Sequence, residues 1–315
     1  MATRGGFSKH TFILFIAFAA NIGIKKTLDN RNNVDILHNS ANCVQKLLEP
    51  FMIGDLWTLW DRFAYVVNKC TPNMKDIELG EFPNTDELKY HYMPIRRIPN
   101  CSVLSLGIGK DVKAEKKMKA VLPNCEFYGA DPVQEDNEDL FVDFGKFYNM
   151  AVGDKNGSFR SYVLEEIYRY QEVVTIDLAT FIRLNVKQTT IDQLMIDIEH
   201  AEYPVLPFFE QNGQLEEWGI HICQINIEVH SPTDEDRQTF TDFLKRNFIS
   251  HQWIFINSEM HPILKHIRLF MINGRNEECL RRYIQKESKV AKNRRGERKQ
   301  KKLRNDGEED EADNN

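Results

Sequence analysis

Apolar residues recur along this chain in two rhythms. From residue 34 to about 70 the spacing is helical. Val34, Leu37, Val44, Leu47 and Leu48 mark one helix, and Trp57, Leu59, Trp60, Phe63 and Val67 mark a second, from about Asp55 to Asn68. Thr71-Pro72-Asn73 stops the second helix. Residues 72–100 mix polar residues, prolines and aromatics, and read as a connecting segment with little regular structure. After residue 100, short apolar runs alternate with amphipathic stretches. The runs predict strands at 102–106, 125–130, 148–152, 173–176, 192–198, 222–229 and 267–272, with a further run at 253–257. The amphipathic stretches predict helices at about 111–121, 134–144, 177–184, 202–211 and 234–247. This alternation predicts an α/β fold: a Rossmann-like, doubly wound, mostly parallel sheet covered on both faces, with an antiparallel partner at one edge. The aromatic helical pair ahead of it is expected to pack on the sheet or to cover a ligand.

The two ends break the pattern. Arg4 and Lys9 precede an apolar run, Phe12 to Ala20, and Lys25-Lys26 follows. The run is short for a bilayer span, which takes about 20 residues, and Ala17-Phe18-Ala19 fits a signal-peptide cleavage site. Residues 1–24 are therefore read as a signal peptide or signal anchor, which places the protein at a membrane or in the secretory pathway, with orientation open. Residues 286–315 are basic to Arg304 and acidic from Asp306, with almost nothing apolar, and are expected to be a disordered tail. Between the ends lie a helical extension and linker, 25–99, and a catalytic-type domain, 100–285. The overall charge of -6 gives no reason to expect a specific nucleic-acid partner.

The six cysteines lack any Cys-x-x-Cys spacing, so no zinc site and no other metal is assigned. Cys43 with Cys70 is the first candidate for a disulfide. Cys101, Cys125 and Cys223 sit at or inside predicted core strands and are expected to be buried free thiols.

The candidate chemistry lies where predicted strands end. Val103-Leu104-Ser105-Leu106 runs into Gly107-Ile108-Gly109, a helix follows, and the next strand ends on Asp131-Pro132. A strand, a Gly-x-Gly turn, a helix and a strand tipped with an acid make half of a nucleotide-binding unit, in which the acid accepts from ribose hydroxyls. The turn has neither the third glycine of a dinucleotide site nor the Gly-Lys-Ser/Thr of a phosphate loop. That combination suits S-adenosylmethionine better than NAD or ATP.

Further along, Leu194-Met195-Ile196 leads into Asp197-Ile198-Glu199-His200-Ala201-Glu202, and Ile225-Asn226-Ile227 leads into Glu228-Val229-His230. Asp197 and Glu199 are expected on opposite sides of the strand end, with Asp197 pointing at the donor or substrate and Glu199 accepting from it. His200 and His230 are candidate proton acceptors, with Glu228 as the partner that orients His230. Glu202 reads as a charge at a helix start or as a residue without a role.

Thr175-Ile176-Asp177-Leu178, followed by a strand running into Asp197-x-Glu199-x-Ala201-Glu202, resembles the FkbM-type methyltransferase family. In that family the corresponding strand reads Asp-x-Glu-Gly-Ala-Glu. The segments Pro123 to Pro132 and Ile222 to His230 resemble an animal FkbM-like subgroup whose members often begin with a hydrophobic segment. The resemblance covers about residues 100–275. It implies a class I methyltransferase fold and O-methyl transfer from S-adenosylmethionine to a small-molecule, glycan or lipid hydroxyl. By the same resemblance Gly107, Gly109, Asp131, Ala151 and Val152 line the cofactor site, and Asp197 and Glu199 stand at the methyl-transfer end. His200 replaces the family's glycine. That change leaves a second expectation, a methyltransferase-fold binding or scaffold protein without turnover.

Overall fold

The computed structural model describes residues 33–164 and 167–285. Residues 1–24, expected to be a targeting segment, and the charged tail 286–315 lie outside them. Ile36–Ile284 form one compact unit; the other, Met1–Asp35 with Gln285–Asn315, falls almost wholly outside the described residues. Among the described residues no helix is long and apolar enough to cross a membrane.

The elements in chain order begin with α1 (33–48), α2 (Leu56–Lys69), β1 (Leu79–Pro83), β2 (Leu88–Tyr92) and β3 (Cys101–Leu106). They continue with α3 (Lys113–Val121), β4 (Cys125–Asp131), α4 (Asn137–Phe141), β5 (Lys146–Asn149), β6 (Ala151–Gly153), β7 (Gly157–Leu164) and β8 (Tyr168–Asp177). Then come α5 (Leu178–Phe181), β9 (Thr190–Ile191), β10 (Gln193–Ile196), α6 (Glu202–Val205), α7 (Gln214–Glu217) and β11 (His221–Ile222). The last are β12 (Gln224–Val229), α8 (Asp234–Ser250), β13 (Trp253–Met260), β14 (Ile267–Asn273) and α9 (Glu277–Tyr283).

The main sheet has seven strands in the order β13-β14-β12-β10-β3-β4-β5. From β12 to β5 neighbouring strands are parallel, whereas β14 runs antiparallel to both β12 and β13. The antiparallel strand is thus second from the edge, inserted between two others. The chain leaves β3 for β4 and β5, then returns to β10 on the other side of β3. The carboxyl ends of β3 and β10 form the switch point, where open α/β sheets bind ligands.

The two faces of the sheet differ in character. Leu104, Leu106, Leu194, Ile196, Ile225, Ile227 and Val229 point into an apolar core with α1, α2, α5 and α8. Several of the alternate residues of the same strands, which point the other way, are polar yet buried, each with a partner. Ser105 Oγ donates to Glu115 of α3, and Gln193 meets His91 of β2. Asn226 accepts from the Tyr90 N–H and donates to its carbonyl, and Gln224 does the same with Tyr92. Two side-chain amides therefore extend a backbone ladder to the β1–β2 hairpin, which covers this face.

That hairpin corrects the reading of residues 72–100 as irregular. Three other expectations also change. The single strand expected at 148–152 is split, with β5 in the main sheet and β6 in a three-stranded sheet with β8 and β7. β7 itself and α9 carried no assignment. Finally, the structure holds no free cysteine: Cys43–Cys70 forms as expected, but Cys101–Cys125 and Cys223–Cys279 are also disulfides. Parallel pairing sets Cys101 directly beside Cys125, which brings two apparent core thiols within bonding reach.

Candidate active site

Gly107 closes the switch point. Its N–H donates to the Ala130 carbonyl, while the Asp197 N–H donates to the Leu106 carbonyl beside it. The residue has φ +76, and a Cβ there would stand 1.7 Å from the Asp197 carbonyl oxygen. Only glycine lets β3 turn this close to the end of β10. Gly109, φ +58, has nothing within 4 Å of its Cβ position and faces a cavity.

That cavity holds about 370 Å³, within the range of small-ligand sites. Gly107, Gly109, Asp131, Ala151, Val152, Asp197 and Glu199 all line it, which brings seven sequence-predicted positions to one place. Its outer wall is the β7–β8 hairpin, through Phe159, Leu164 and Tyr168. A second chamber of about 380 Å³ lies on the polar side of the turn, beneath the β1–β2 hairpin. Gly107, Gly109 and Asp197 are shared between the two. A larger cleft, about 410 Å³, sits at the amino ends of β11 and β12 beside Trp253 and Arg275, remote from the switch point.

Asp131 spends its carboxylate on the turn. Oδ2 accepts from the N–H of Ile108 at 2.8 Å and of Gly109 at 3.4 Å, and Oδ1 accepts from Val133 at 2.8 Å. Burial raises its pKa, against the lowering effect of these bonds. The following amides are also committed: Lys110 N–H to Asn137, Lys113 N–H to Asp111, and Ala114 N–H to Asn84. A phosphate-binding turn leaves such N–H groups aimed at the ligand. This turn offers none of these to an anion.

A charged cluster forms the other wall. β10 ends at Ile196, and Glu199 and His200 both adopt left-handed backbone, φ 53 and 72. Glu199 does not face away from Asp197, which corrects the expectation of opposite sides. Both reach one nitrogen, His230 Nε2, which is 3.2 Å from Glu199 Oε2 and 3.7 Å from Asp197 Oδ1. The left-handed φ at His200 also accounts for a family preference for glycine there. His200 is exposed, its ring 5.3 Å from that of His230, and it is not among the residues lining the cavity.

His230 is oriented by Glu202, not by Glu228. Glu202 is fully buried, and its Oε1 lies 3.1 Å from His230 Nδ1 while accepting from the Ile198 N–H at 2.8 Å. Glu228 instead bonds His266 at 2.9 Å and the Arg268 guanidinium at 2.8 Å. Burial opposes a charge on His230, but its bonds to Glu199 and Glu202 and the charges of Glu202 and Asp197 push it up to about 11. In the unliganded protein it is thus an imidazolium at neutral pH. Burial and then the charge of Glu228 lift Asp197 above the usual carboxylate range, against the pull of Lys89 and His230. Burial would raise Glu199 too, but hydrogen bonds from His230 and Tyr168 bring it below its ordinary value. The Asp197 side chain is 39% exposed, yet its Oδ1 is sealed and has no hydrogen-bond partner among the described residues.

Sequence reasoning missed Lys89, Tyr168, His266 and Arg268. Leu88-Lys89-Tyr90-His91-Tyr92 does alternate and is rich in strand-forming aromatics, a signal obscured by the prolines around it. Nothing local marks Tyr168, His266 or Arg268, because their partners lie on other elements.

A family model described as the methyltransferase FkbM domain matches residues 34–283. The chain is also similar to the uncharacterized protein C28H8.7 of Caenorhabditis elegans, 24% identical over 182 residues, which are 58% of this chain and 56% of that protein. It thus spans little more than half the length of that relative. The family match takes in the helices ahead of the sheet as well as both walls of the cavity, and the chain belongs to the FkbM methyltransferase domain family.

Proposed function

We infer that the protein transfers a methyl group from S-adenosylmethionine to a hydroxyl of a small-molecule, glycan or lipid acceptor. The observation that carries this reading is the Gly107–Gly109 turn, whose Ile108 and Gly109 amides are given to Asp131 and not to a ligand. A nucleoside fits such a turn and a phosphate does not. Gly109 leaves room for close approach, and Asp131 Oδ1, with one backbone bond, keeps a lone pair for a hydroxyl. Glu199, held below its ordinary pKa, gives the far wall a negative charge that suits a cationic donor.

When bound, the cofactor supplies a methyl group already activated on a sulfonium. The protein then has to position two reactants and take one proton. Asp197 stands where the two chambers meet, so its carboxylate is the group placed to receive the acceptor's hydroxyl proton. The β7–β8 hairpin shields the cofactor chamber, and Tyr168 ties it to the cluster by donating to Glu199.

The cross-linked fold, with the signal-like sequence of residues 1–24, supports work in the secretory pathway, since disulfides persist in oxidising compartments. Isothermal titration of the full chain with S-adenosylmethionine, S-adenosylhomocysteine, NAD and ATP tests the cofactor. We expect the first two to bind and the last two not to; no binding of the first two, or tighter binding of NAD, would overturn the reading.

A further inference from the structure

We propose that Asp197, Glu199 and His230 form a binding site for one divalent cation of the Mn2+ type in the wall of the cofactor chamber. Each of the three offers one ligand atom, a carboxylate oxygen or a ring nitrogen, and these atoms all lie within 4.8 Å of one another. His230 Nε2 is 3.2 Å from Glu199 and 3.7 Å from Asp197. Neighbouring ligands around a cation with bonds of about 2.0–2.3 Å stand roughly 3 Å apart, so only a small adjustment is needed.

The surroundings of these atoms point to a ligand as well. His230 Nδ1 is held by Glu202, which leaves Nε2 as the atom facing the carboxylates, the carboxylate–histidine arrangement that backs many metal sites. Glu202 is fully buried, and its Oε2 has no hydrogen-bond partner among the described residues; neither has the sealed Oδ1 of Asp197. A second set, Glu228, His230 and His266, has similar spacing. Its glutamate is already spent, one oxygen on His266 and the other on Arg268. The first set keeps an open ligand atom, since Asp197 Oδ1 has no hydrogen-bond partner among the described residues. Two carboxylates and one imidazole suit a hard or borderline divalent cation, which takes the place of the Nε2 proton.

This site goes beyond methyl transfer and does not rest on it, because the cation is measured without donor or acceptor.

The test is titration of the full chain, stripped with EDTA, with MnCl2, following free Mn2+ by electron paramagnetic resonance and the melting temperature in parallel. The expected result is one saturable class of Mn2+ that raises the melting temperature. Asp197→Asn and Glu199→Gln should each weaken binding at least tenfold, and Glu202→Gln about 10–100-fold. His266→Gln should stay within about twofold. A cooperative melt of each variant in EDTA shows that it is folded, and weak binding to the acidic run 306–313 cancels between wild type and variants. Binding equal in wild type, Asp197→Asn and Glu199→Gln, no saturable binding at all, or loss with His266→Gln but not with Asp197→Asn would each overturn the proposal.

Discussion

His91 is fully buried in the polar face of the sheet, with Nδ1 2.7 Å from Gln193 Oε1 and no hydrogen-bond partner for Nε2 among the described residues. Burial pushes its imidazole down to about 4, against the raising effects of Gln193 and Asp192. In the unfolded chain the same group titrates near 6.5, so between about pH 6.5 and 4 the unfolded state holds a proton that the folded state lacks. Its contribution is complete above pH 6.5 and is lost as pH falls towards 4, up to about 3 kcal/mol. Denaturant midpoints across this range should fall more steeply in wild type than in His91→Gln; parallel curves would refute the assignment. At this scale the sequence was informative where a residue acts through its own backbone or its place at a strand end, as with Gly107, Asp131, Asp197 and His230. It was silent where the role depends on a turn elsewhere. Glu202 looked like a helix-start charge because nothing local shows that His230 arrives beside it, and Glu199 was assigned to the wrong side although residues two apart on a strand share a face.

At the scale of elements, the polar positions of β12 carry the most weight. Asn226 and Gln224 interrupt the apolar pattern of 222–229 without spoiling it, and in isolation they mean little. In the fold they hold the β1–β2 hairpin, and so place Lys89 against the cluster and close the second chamber. Asn226→Leu removes both bonds to Tyr90 and leaves that backbone unpaired, which should cost about 2–4 kcal/mol. Ile225→Val, on the apolar face, should cost only about 1 kcal/mol. Urea unfolding of the two variants decides this, and equal losses would mean that the hairpin is not held by the amides. The parallel strands were legible because burial on both faces makes them uniformly apolar or nearly so. The hairpin was not, because its partners are side chains 136 and 132 residues away.

For the molecule as a whole, the three disulfides tie α1 to α2, β3 to β4, and the start of β12 to α9, across separations of 27, 24 and 56 residues. Loops of that size correspond to about 3–4 kcal/mol each in a chain-entropy account. Protein folded in an oxidising compartment should therefore weigh six hydrogens less than the reduced chain and resist alkylation, and reduction should lower its melting temperature by well over ten degrees. Alkylation of any of the six cysteines in the native protein would contradict this. Composition alone allowed either state, since scattered cysteines read the same whether or not strand pairing brings them together.

A cofactor site also acts as a filter on the metabolites around it. Most glycine turns of this shape attract the abundant phosphorylated nucleotides, and an enzyme that uses a scarcer nucleoside must compete with them. Here the competition is settled before any ligand arrives: Asp131 has already taken the amides of Ile108 and Gly109. An incoming phosphate would lose its hydration and find a carboxylate where a donor should be, a mismatch of the kind that separates ligands by several orders of magnitude. Selectivity of this sort requires no exceptional affinity for the methyl donor, because the turn withholds from its rivals the two amides a phosphate would use.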